Sequence, residues 1–254
     1  MDSASSVLHV AKQRFLIVAA PRSGSNYLCT LLNSHPEILC HHEVFNPRGI
    51  FYALEFRDGS VDLGSLEERD SDPWGFLDRL WNIPTSSKCV GFKVTRGQAE
   101  SVLEGLLHDS RVKKIVLRRQ NRVKSLVSEL IAEKTDQWEL YCQTEKVSPP
   151  KVQVELHQLL SHAAENETFY EEIFRTLASS QQPHIVLEYE HLGSRAEQDR
   201  ALDFLGVTGP YSRLVPASVK QTPADLRTVI SNYAELDLAL AGTEYESELH
   251  DIGR

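Results

Sequence analysis

Apolar positions fall into two patterns along this chain: short continuous runs, and longer stretches with helical spacing. The short runs are bounded by polar or turn residues and predict five strands, at 14–20, about 38–41, 88–94, 112–118 and 184–189. The helical spacing predicts helices at 26–34, 73–82, 97–108, 121–145, 151–179, 195–205 and 223–241. Because strands alternate with helices, the pattern predicts an α/β fold whose parallel central sheet is flanked by helices.

The length and texture of the chain favour one domain. Its 254 residues are within the range of a single large α/β domain, and it contains no internal repeat or low-complexity linker. We therefore expect a single domain over residues 1–254, with residues 1–12 as a flexible N-terminus. Residues 43–72 carry many charges and three glycines, so we expect a surface excursion there.

Composition narrows the possible functions. A net charge of −9 argues against a nucleic-acid-binding face. No apolar run approaches the roughly 20 residues that span a bilayer, and the N-terminal segment lacks the pattern of a signal peptide. The four cysteines are scattered without a metal-type Cys-x-x-Cys pair, which favours reduced thiols and a cytoplasmic protein.

The most informative segment is 15–28, where an apolar run stops at Pro21, a small polar loop follows, and helical spacing then begins. A loop between a strand and a helix directs backbone N–H groups and the positive end of the helix dipole at one point, which suits an anion. Gly24 permits close backbone approach, and Arg22 adds a forked cationic donor. The alternative is an ordinary turn capped by Ser25 or Asn26.

A second basic segment lies at 112–128. The predicted strand ends near Leu117, two arginines follow at 118 and 119, and a predicted helix places Ser128 about two turns in. Arginine at a strand end can bind phosphate through two parallel hydrogen bonds. The alternative is a solvated basic helix start, with Arg122 and Lys124 facing water.

These two segments resemble one family. The loop at 21–25 is similar to the 5′-phosphosulfate loop of sulfotransferases that use 3′-phosphoadenosine 5′-phosphosulfate (PAPS), and 117–128 looks like the 3′-phosphate segment of the bacterial trehalose-sulfotransferase-like group. The resemblance extends from residue 14 to about 245. It implies a P-loop nucleoside-kinase-like architecture, PAPS as cofactor, and adenosine 3′,5′-bisphosphate (PAP) as its product. It also implies sulfuryl transfer to a hydroxyl, on a carbohydrate or glycolipid.

The resemblance also implies which residues hold the donor. Segment 185–192 is similar to the family strand that ends in Tyr-Glu-Asp-Leu, and 219–223 to a late Lys-Gln segment. The implied donor-binding residues are Arg22, Ser23, Gly24, Ser25, Asn26, Tyr27, Arg118, Arg119, Ser128, Tyr189 and Lys220. The sequence leaves open whether Arg118 or Arg119 binds the 3′-phosphate, and whether Ser125 replaces Ser128.

Candidates for the catalytic base lie just past the second predicted strand, where His41, His42 and Glu43 are adjacent. Carbohydrate-type members of the family use a Glu in this region, so the resemblance favours Glu43, with His42 as the alternative. We expect burial beside the apolar residues that follow to raise the pKa of Glu43. Arg22 is expected to stabilise the leaving phosphate, and Lys93 to form a structural salt bridge. No ligand set with zinc spacing is present, so no metal is expected.

Two other functions compete with sulfuryl transfer. An ATP-dependent small-molecule kinase of related fold would need a loop lysine and an acidic Mg²⁺ ligand at a strand end, and neither is evident. A non-catalytic nucleotide-binding protein is the second alternative. The partner is expected to be a small-molecule or glycan acceptor, held by the variable loops 43–72 and 138–165. Core packing is the expected use of Trp74, Trp81 and Trp138.

Overall fold

The computed structural model describes residues 12–207 and 213–252, so most of the segment expected to be a flexible N-terminus lies outside the described residues. A five-stranded sheet forms the centre, with the order β2-β3-β1-β4-β5 and every neighbouring pair parallel. The strands are β1 (Gln13–Ala19), β2 (Ile38–Cys40), β3 (Cys89–Thr95), β4 (Val112–Arg118) and β5 (His184–Glu188). The predicted α/β class and all five predicted strands are confirmed.

Helices connect the strands and extend the chain beyond them. They are α1 (Ser25–Asn33), α2 (Leu66–Ser71), α3 (Pro73–Trp81), α4 (Glu100–His108), α5 (Arg122–Thr135), α6 (Leu156–Ser179), α7 (Arg195–Leu205), α8 (Tyr233–Leu240) and α9 (Glu246–His250). Within residues 12–207 and 213–252, every helix is too short or too polar to span a bilayer.

Alternate residues of β1 supply the cores on the two faces of the sheet. Leu16 and Val18 pack on one face with α3, α4 and α6, while Phe15 and Ile17 pack on the other with α1 and α7. A strand that is buried on both faces must be apolar at every position, which is why β1 reads as a continuous apolar run. β1 is also the middle strand, so the loop after it leaves from the centre of the sheet.

A third apolar cluster lies beside the sheet and holds the C-terminal part of the chain. It joins α5 to Val152, Val154 and the helix α8. The backbone N–H of Val152 donates to the carbonyl of Val229 over 2.7 Å, which ties the two segments directly. The C-terminal segment is thereby held against the helix that follows the second basic segment.

Three predicted helices are too long. The helix expected at 121–145 ends at Thr135, because Asp136 adopts a left-handed conformation with φ 51° and turns the chain. The helix expected at 151–179 begins at Leu156, since residue 152 is used in the contact with Val229. The helix expected at 223–241 shrinks to Tyr233–Leu240, and the short helices α2 and α9 were not predicted.

Candidate active site

A cavity of about 920 Å³ lies at the carboxyl ends of the central strands. This is where ligands bind in open parallel sheets, and the volume is within the range of small-molecule sites. Eleven of the thirteen residues proposed from the sequence line it: Arg22, Gly24, Ser25, Asn26, Tyr27, His42, Glu43, Arg119, Ser128, Tyr189 and Lys220. The two that do not are Ser23 and Arg118, which line a smaller pocket of about 290 Å³.

The loop between β1 and α1 has an unusual backbone. Arg22 and Gly24 both have positive φ, 57° and 87°, and Gly24 is the N-cap of α1. No side chain caps this helix, so the alternative interpretation, a turn capped by Ser25 or Asn26, is wrong. The first N–H groups of a helix have no partner within it, and here they are left for a ligand.

Close packing over the loop requires glycine at position 24. A Cβ built there would lie 2.1 Å from Cδ2 of Tyr189, well inside van der Waals contact. The ring of Tyr189 therefore lies directly on the loop backbone. Ser23 points away, with its hydroxyl donating to the carbonyl of Ala20 over 2.7 Å, so its side chain stabilises the turn.

The Arg22 guanidinium is held by three uncharged acceptors from three segments. Nε donates to the Ser128 hydroxyl (2.9 Å), Nη1 to the Trp138 carbonyl (2.6 Å) and Nη2 to the Gln221 side-chain oxygen (2.6 Å). Burial and the nearby charge of Arg119 lower the pKa of Arg22 to about 10. Three of the five N–H donors of an arginine are used, which leaves two for a ligand.

Arg119 is a second buried cation at the same cavity. Its Nη1 donates to the backbone carbonyl of Arg22 (3.0 Å), and its guanidinium stacks on Tyr189 at 4.9 Å from the ring centroid. Burial lowers its pKa. Its buried Nε has no hydrogen-bond partner within the described residues. These two desolvated cations donate to uncharged acceptors, an arrangement that favours binding of an anion.

The structure separates the two arginines that the sequence left open. Arg118 points to the opposite side of the strand end, where it pairs with Glu167 (3.1 Å) and stacks on Tyr170. Arg119 alone of the two faces the large cavity. Ser128 also lines that cavity, whereas Ser125 lines the smaller pocket.

The rest of the basic segment is neutralised by the C-terminal part of the chain. Arg122 pairs with Glu244 and Glu248, and Lys124 pairs with Asp251 at 2.6 Å. The alternative interpretation of this segment, in which Arg122 and Lys124 face water, is therefore wrong, because both side chains form ion pairs. Their ion pairs fix α9 against the start of α5.

Lys220 adds a third cation to the wall of the cavity. Burial, together with the charges of Lys124 and Arg119, lowers its pKa. The segment that carries Lys220 is hydrogen-bonded to the loop after α5, where the Val219 N–H donates to the Leu140 carbonyl over 2.8 Å. Gln221 adds a second link, from Nε2 to the Gln137 carbonyl over 2.9 Å.

Glu43 lies opposite the loop between β1 and α1 and is tightly held. Oε1 accepts from Lys93 Nζ at 2.6 Å, and Oε2 accepts from Asn46 (2.6 Å) and Gln98 (2.8 Å). Burial raises the pKa of Glu43, but the Lys93 charge and these hydrogen bonds outweigh it and lower the pKa to about 2. The expected raised pKa is therefore wrong, because the residues that ionise Glu43 are distant in sequence.

Lys93 connects Glu43 to Ser25, which follows the loop between β1 and α1. Its Nζ also donates to the hydroxyl of Ser25 over 3.1 Å, and the side chain is only 2% exposed. The expected salt bridge is present, and it joins the two sides of the cavity. Glu43 keeps 22% of its side chain exposed, so the carboxylate remains accessible from the cavity.

The two adjacent histidines are in different environments. Nδ1 of His41 accepts from the Ala53 N–H at 3.1 Å, and burial lowers its pKa to about 3, so its role is structural. His42 lines the cavity, and burial and the charge of Lys93 lower its pKa well below the usual range. Its Nδ1 contacts Asn26 and Tyr141, while its Nε2 is fully enclosed without a partner in the described residues.

Several lining residues were not predicted. Gln98 carries no sequence signal, since single glutamines are common on surfaces. Gln221 lies in the predicted Lys-Gln segment, from which only Lys220 was named as a site residue. Trp138 lines the cavity instead of the core, whereas Trp81 is buried as expected and Trp74 is half exposed. In the described ranges, no three His, Cys, Asp or Glu side chains come together as metal ligands.

Comparison with curated proteins finds relatives that match almost their entire length. Nodulation protein H of Rhizobium meliloti (strain 1021) is 27% identical over 240 residues, which cover 92% of this chain and 93% of that protein. Nodulation protein H of Rhizobium tropici is 26% identical over 240 residues, which cover 91% of this chain and 90% of that protein. No family model matches the chain.

Two solved structures are similar in fold. A sulfotransferase from Alicyclobacillus acidocaldarius has a TM-score of 0.48 and 19% identity, with 95% of this chain and 97% of that chain covered. The mouse sulfotransferase SULT7A1, complexed with PAP, has a TM-score of 0.41 and 12% identity, with 89% of this chain and 66% of that chain covered. Both structures are described as sulfotransferases.

Proposed function

We propose that this protein transfers a sulfuryl group from PAPS to the hydroxyl of an acceptor, a carbohydrate or glycolipid. The observation that carries the proposal is the convergence of Arg22 and Arg119 on one cavity, where their guanidinium groups contact uncharged acceptors. PAPS carries phosphates at the 3′ and 5′ positions of its ribose, and these supply the negative charges that the two arginines lack as partners.

The two ends of the donor have separate partners in this proposal. The 5′-phosphosulfate lies at the uncapped start of α1, where the N–H groups of residues 24–27 and the free donors of Arg22 stabilise its charge. The 3′-phosphate binds Arg119, Ser128 and Lys220. Ser23 and Arg118, which lie at the smaller pocket, are left out of the donor set.

The reaction is a displacement at sulfur. The acceptor oxygen forms a new bond to sulfur, the bond from sulfur to the 5′-phosphate oxygen breaks, and its electron pair stays on that oxygen. The hydroxyl proton passes to Glu43. Ser25 and Lys93 lie between this carboxylate and the donor loop, so the charge that develops on both sides of the sulfur is stabilised in place.

Glu43 is the proposed base even though its pKa is low. An alcohol oxygen becomes strongly acidic as it bonds to sulfur, so the base must be ionised and accessible when the proton leaves. Glu43 meets both conditions, with a pKa of about 2 and a side chain that is 22% exposed at the cavity. His42 meets the conditions less well, because its Nε2 is fully enclosed and its Nδ1 contacts Asn26 and Tyr141.

The acceptor is proposed to bind where the cavity opens past Glu43. Trp138, Phe51 and Arg48 line this part, with the Arg48 guanidinium 6.0 Å from the Trp138 ring centroid. An aromatic face beside polar side chains suits the apolar face and the hydroxyls of a sugar.

We also propose that the chain forms a single domain and that the protein is cytoplasmic. The cytoplasmic location is supported by the four free cysteines, three of them buried.

Isothermal titration with PAP in the absence of Mg²⁺ tests the donor site. Micromolar binding is expected, and selective binding of ATP with Mg²⁺ would instead support the kinase alternative. Transfer from labelled PAPS to a panel of sugars and glycolipids then tests the reaction. Binding of PAP without transfer to any acceptor would favour the non-catalytic alternative.

A further inference from the structure

A row of hydrogen bonds crosses the cavity wall from the loop after α5 to the donor loop. The Arg57 guanidinium binds both carboxylate oxygens of Glu139, and the Tyr141 hydroxyl donates to Glu139 Oε2 over 2.7 Å. The same Tyr141 oxygen lies 3.2 Å from His42 Nδ1, which lies 3.1 Å from Asn26 Oδ1. Arg57, Glu139 and Tyr141 were not among the residues predicted from the sequence.

Counting protons fixes the direction of every bond in this row. An ionised carboxylate only accepts, and Arg57 only donates, so the Tyr141 proton must point to Glu139. The Tyr141 oxygen can then only accept, so its contact with His42 Nδ1 is a hydrogen bond when Nδ1 carries the hydrogen. That hydrogen is shared between the Tyr141 and Asn26 oxygens, at 3.2 and 3.1 Å. The His42 ring is therefore the Nδ1–H tautomer, with its lone pair on the enclosed Nε2.

The tautomer in turn fixes the Asn26 side chain. Because His42 Nδ1 is a donor, the amide must present its oxygen to the ring, as the 3.1 Å contact has it. The NH₂ end of the same amide is then left for the cavity that Asn26 lines. Asn26 lies in the first turn of α1, beside the N–H groups proposed to bind the 5′-phosphosulfate.

We propose that Tyr141 is a positioning residue for the donor site. It holds His42 in the Nδ1–H tautomer, and through that ring it turns the NH₂ group of Asn26 toward the sulfate or phosphate oxygens of the donor. The expected effect of Tyr141 on PAPS binding and turnover rests on the proposed sulfuryl transfer. The tautomer of His42 and the orientation of Asn26 do not depend on that function. Without the tyrosine hydroxyl, either tautomer satisfies Asn26, because a flipped amide can donate to Nδ1.

Nitrogen NMR of the histidine rings tests the proton arrangement without any ligand. In protein labelled with ¹⁵N-histidine, His42 is expected to give a neutral Nδ1–H signal beside those of His108 and His184, whose Nδ1 atoms contact carbonyl oxygens. The His42 signal is identified by its disappearance in His42→Gln. Tyr141→Phe should shift this ring toward a mixture of tautomers, while Tyr233→Phe, which removes a hydroxyl remote from the cavity, should not. An Nε2–H tautomer of His42 in the unaltered protein would overturn the proposal, whereas His41, whose Nδ1 accepts from Ala53, is expected to be Nε2–H.

A double-mutant cycle tests the consequence for the donor. Tyr141→Phe is expected to weaken PAP binding and lower kcat/KM for PAPS about 3- to 10-fold, the size of one lost hydrogen bond. Asn26→Ala should weaken both more, and the double variant should equal Asn26→Ala alone, because Tyr141 acts through Asn26.

The outcomes separate this proposal from the proposed function. Fully additive losses, or an unchanged Tyr141→Phe, would overturn the positioning role even if the protein is an active sulfotransferase. If the unaltered protein fails to bind PAP, the proposed function fails. The NMR comparison of Tyr141→Phe with Tyr233→Phe still decides whether Tyr141 sets the His42 tautomer.

Discussion

The side chain of Arg119 donates from Nη1 to the backbone carbonyl of Arg22 over 3.0 Å, which ties the end of β4 to the loop after β1. Two buried guanidinium groups are thereby held side by side, and Arg119 lowers the pKa of Arg22. Like charges kept together in a desolvated site are unfavourable until an anion binds. Binding of a doubly anionic ligand relieves this repulsion, so the enforced proximity of the two arginines increases the affinity for such a ligand.

Arg119 should carry donor affinity that its neighbour does not. Arg119→Ala is expected to raise KM for PAPS and Kd for PAP about 10- to 100-fold, since a charge-assisted bond to a desolvated anion is lost. Arg118→Ala is the matched control, because that side chain pairs with Glu167 outside the cavity. Isothermal titration compares the two, and equal losses would contradict the assignment.

Glu43→Gln should remove the base and keep the shape of the site. A fall in kcat of about 100-fold or more is expected, with KM for PAPS within a few-fold. Because the pKa of Glu43 is about 2, its ionisation should produce no acid limb in kcat/KM between pH 5 and pH 8. A larger loss in His42→Gln than in Glu43→Gln would transfer the role of base to the histidine.

Lys93→Met should destabilise the protein in a way that depends on pH. Burial raises the Glu43 pKa, but the Lys93 charge and the hydrogen bonds from Lys93, Asn46 and Gln98 lower it from 4.5 to about 2. This stabilisation is therefore complete above pH 4.5 and is lost as the pH falls toward 2. Urea denaturation at pH 7 should show a loss of about 3 kcal/mol, which shrinks at pH 3. Lys88→Met, at the exposed pair with Glu37, should cost at most about 1 kcal/mol at either pH.

Gly24→Ala should harm both stability and donor binding. The positive φ costs about 1 kcal/mol for a residue with a Cβ, and the clash with Tyr189 adds to it. A total of about 2–4 kcal/mol is expected from denaturation, with PAP binding weakened. Gly59→Ala is matched in φ, at 83°, but has open space around it, so a similar loss there would show that Tyr189 is irrelevant.

Glu248→Gln should affect stability without affecting the donor. Glu248 accepts from the backbone N–H groups of Arg122 and Val123 at the start of α5 and pairs with the Arg122 side chain. Its loss should cost about 1–2 kcal/mol, as for other helix caps. Glu244→Gln, at a mostly exposed partner of Arg122, should cost less than about 0.5 kcal/mol. KM for PAPS should be unchanged in both, since Arg122 lies outside the large cavity.

The sheet and the donor loop could be predicted because their signals are local. β1 is buried on both faces from residue 15 to its end and is apolar there, and Gly24 marks the turn to α1 within a few residues. The end of α5 could not be predicted, because the left-handed conformation of Asp136 reflects the contacts of the following loop. Long-range packing, rather than local propensity, also sets the short helix α8.

The site was harder to predict where neighbours in space are distant in sequence. The choice between Arg118 and Arg119 depends on which side of the strand end each faces, and a sequence shows only that they alternate. Burial raises the pKa of Glu43 as expected, but Lys93, 50 residues away, and the hydrogen bonds to the carboxylate outweigh it. The role of Tyr141 is likewise visible only once its contact with His42 is known.

The cavity has two walls of different origin. Arg22 and Arg119 leave directly from paired central strands, so their spacing is as rigid as the β1–β4 ladder. Trp138, Arg48 and Phe51 come from connections that contribute no strand to that ladder. In the proposed function, insertions or substitutions in those connections therefore change which hydroxyl compound is accepted, while binding of the nucleotide stays constant. This architecture can thus diversify its acceptors without rebuilding the proposed donor site.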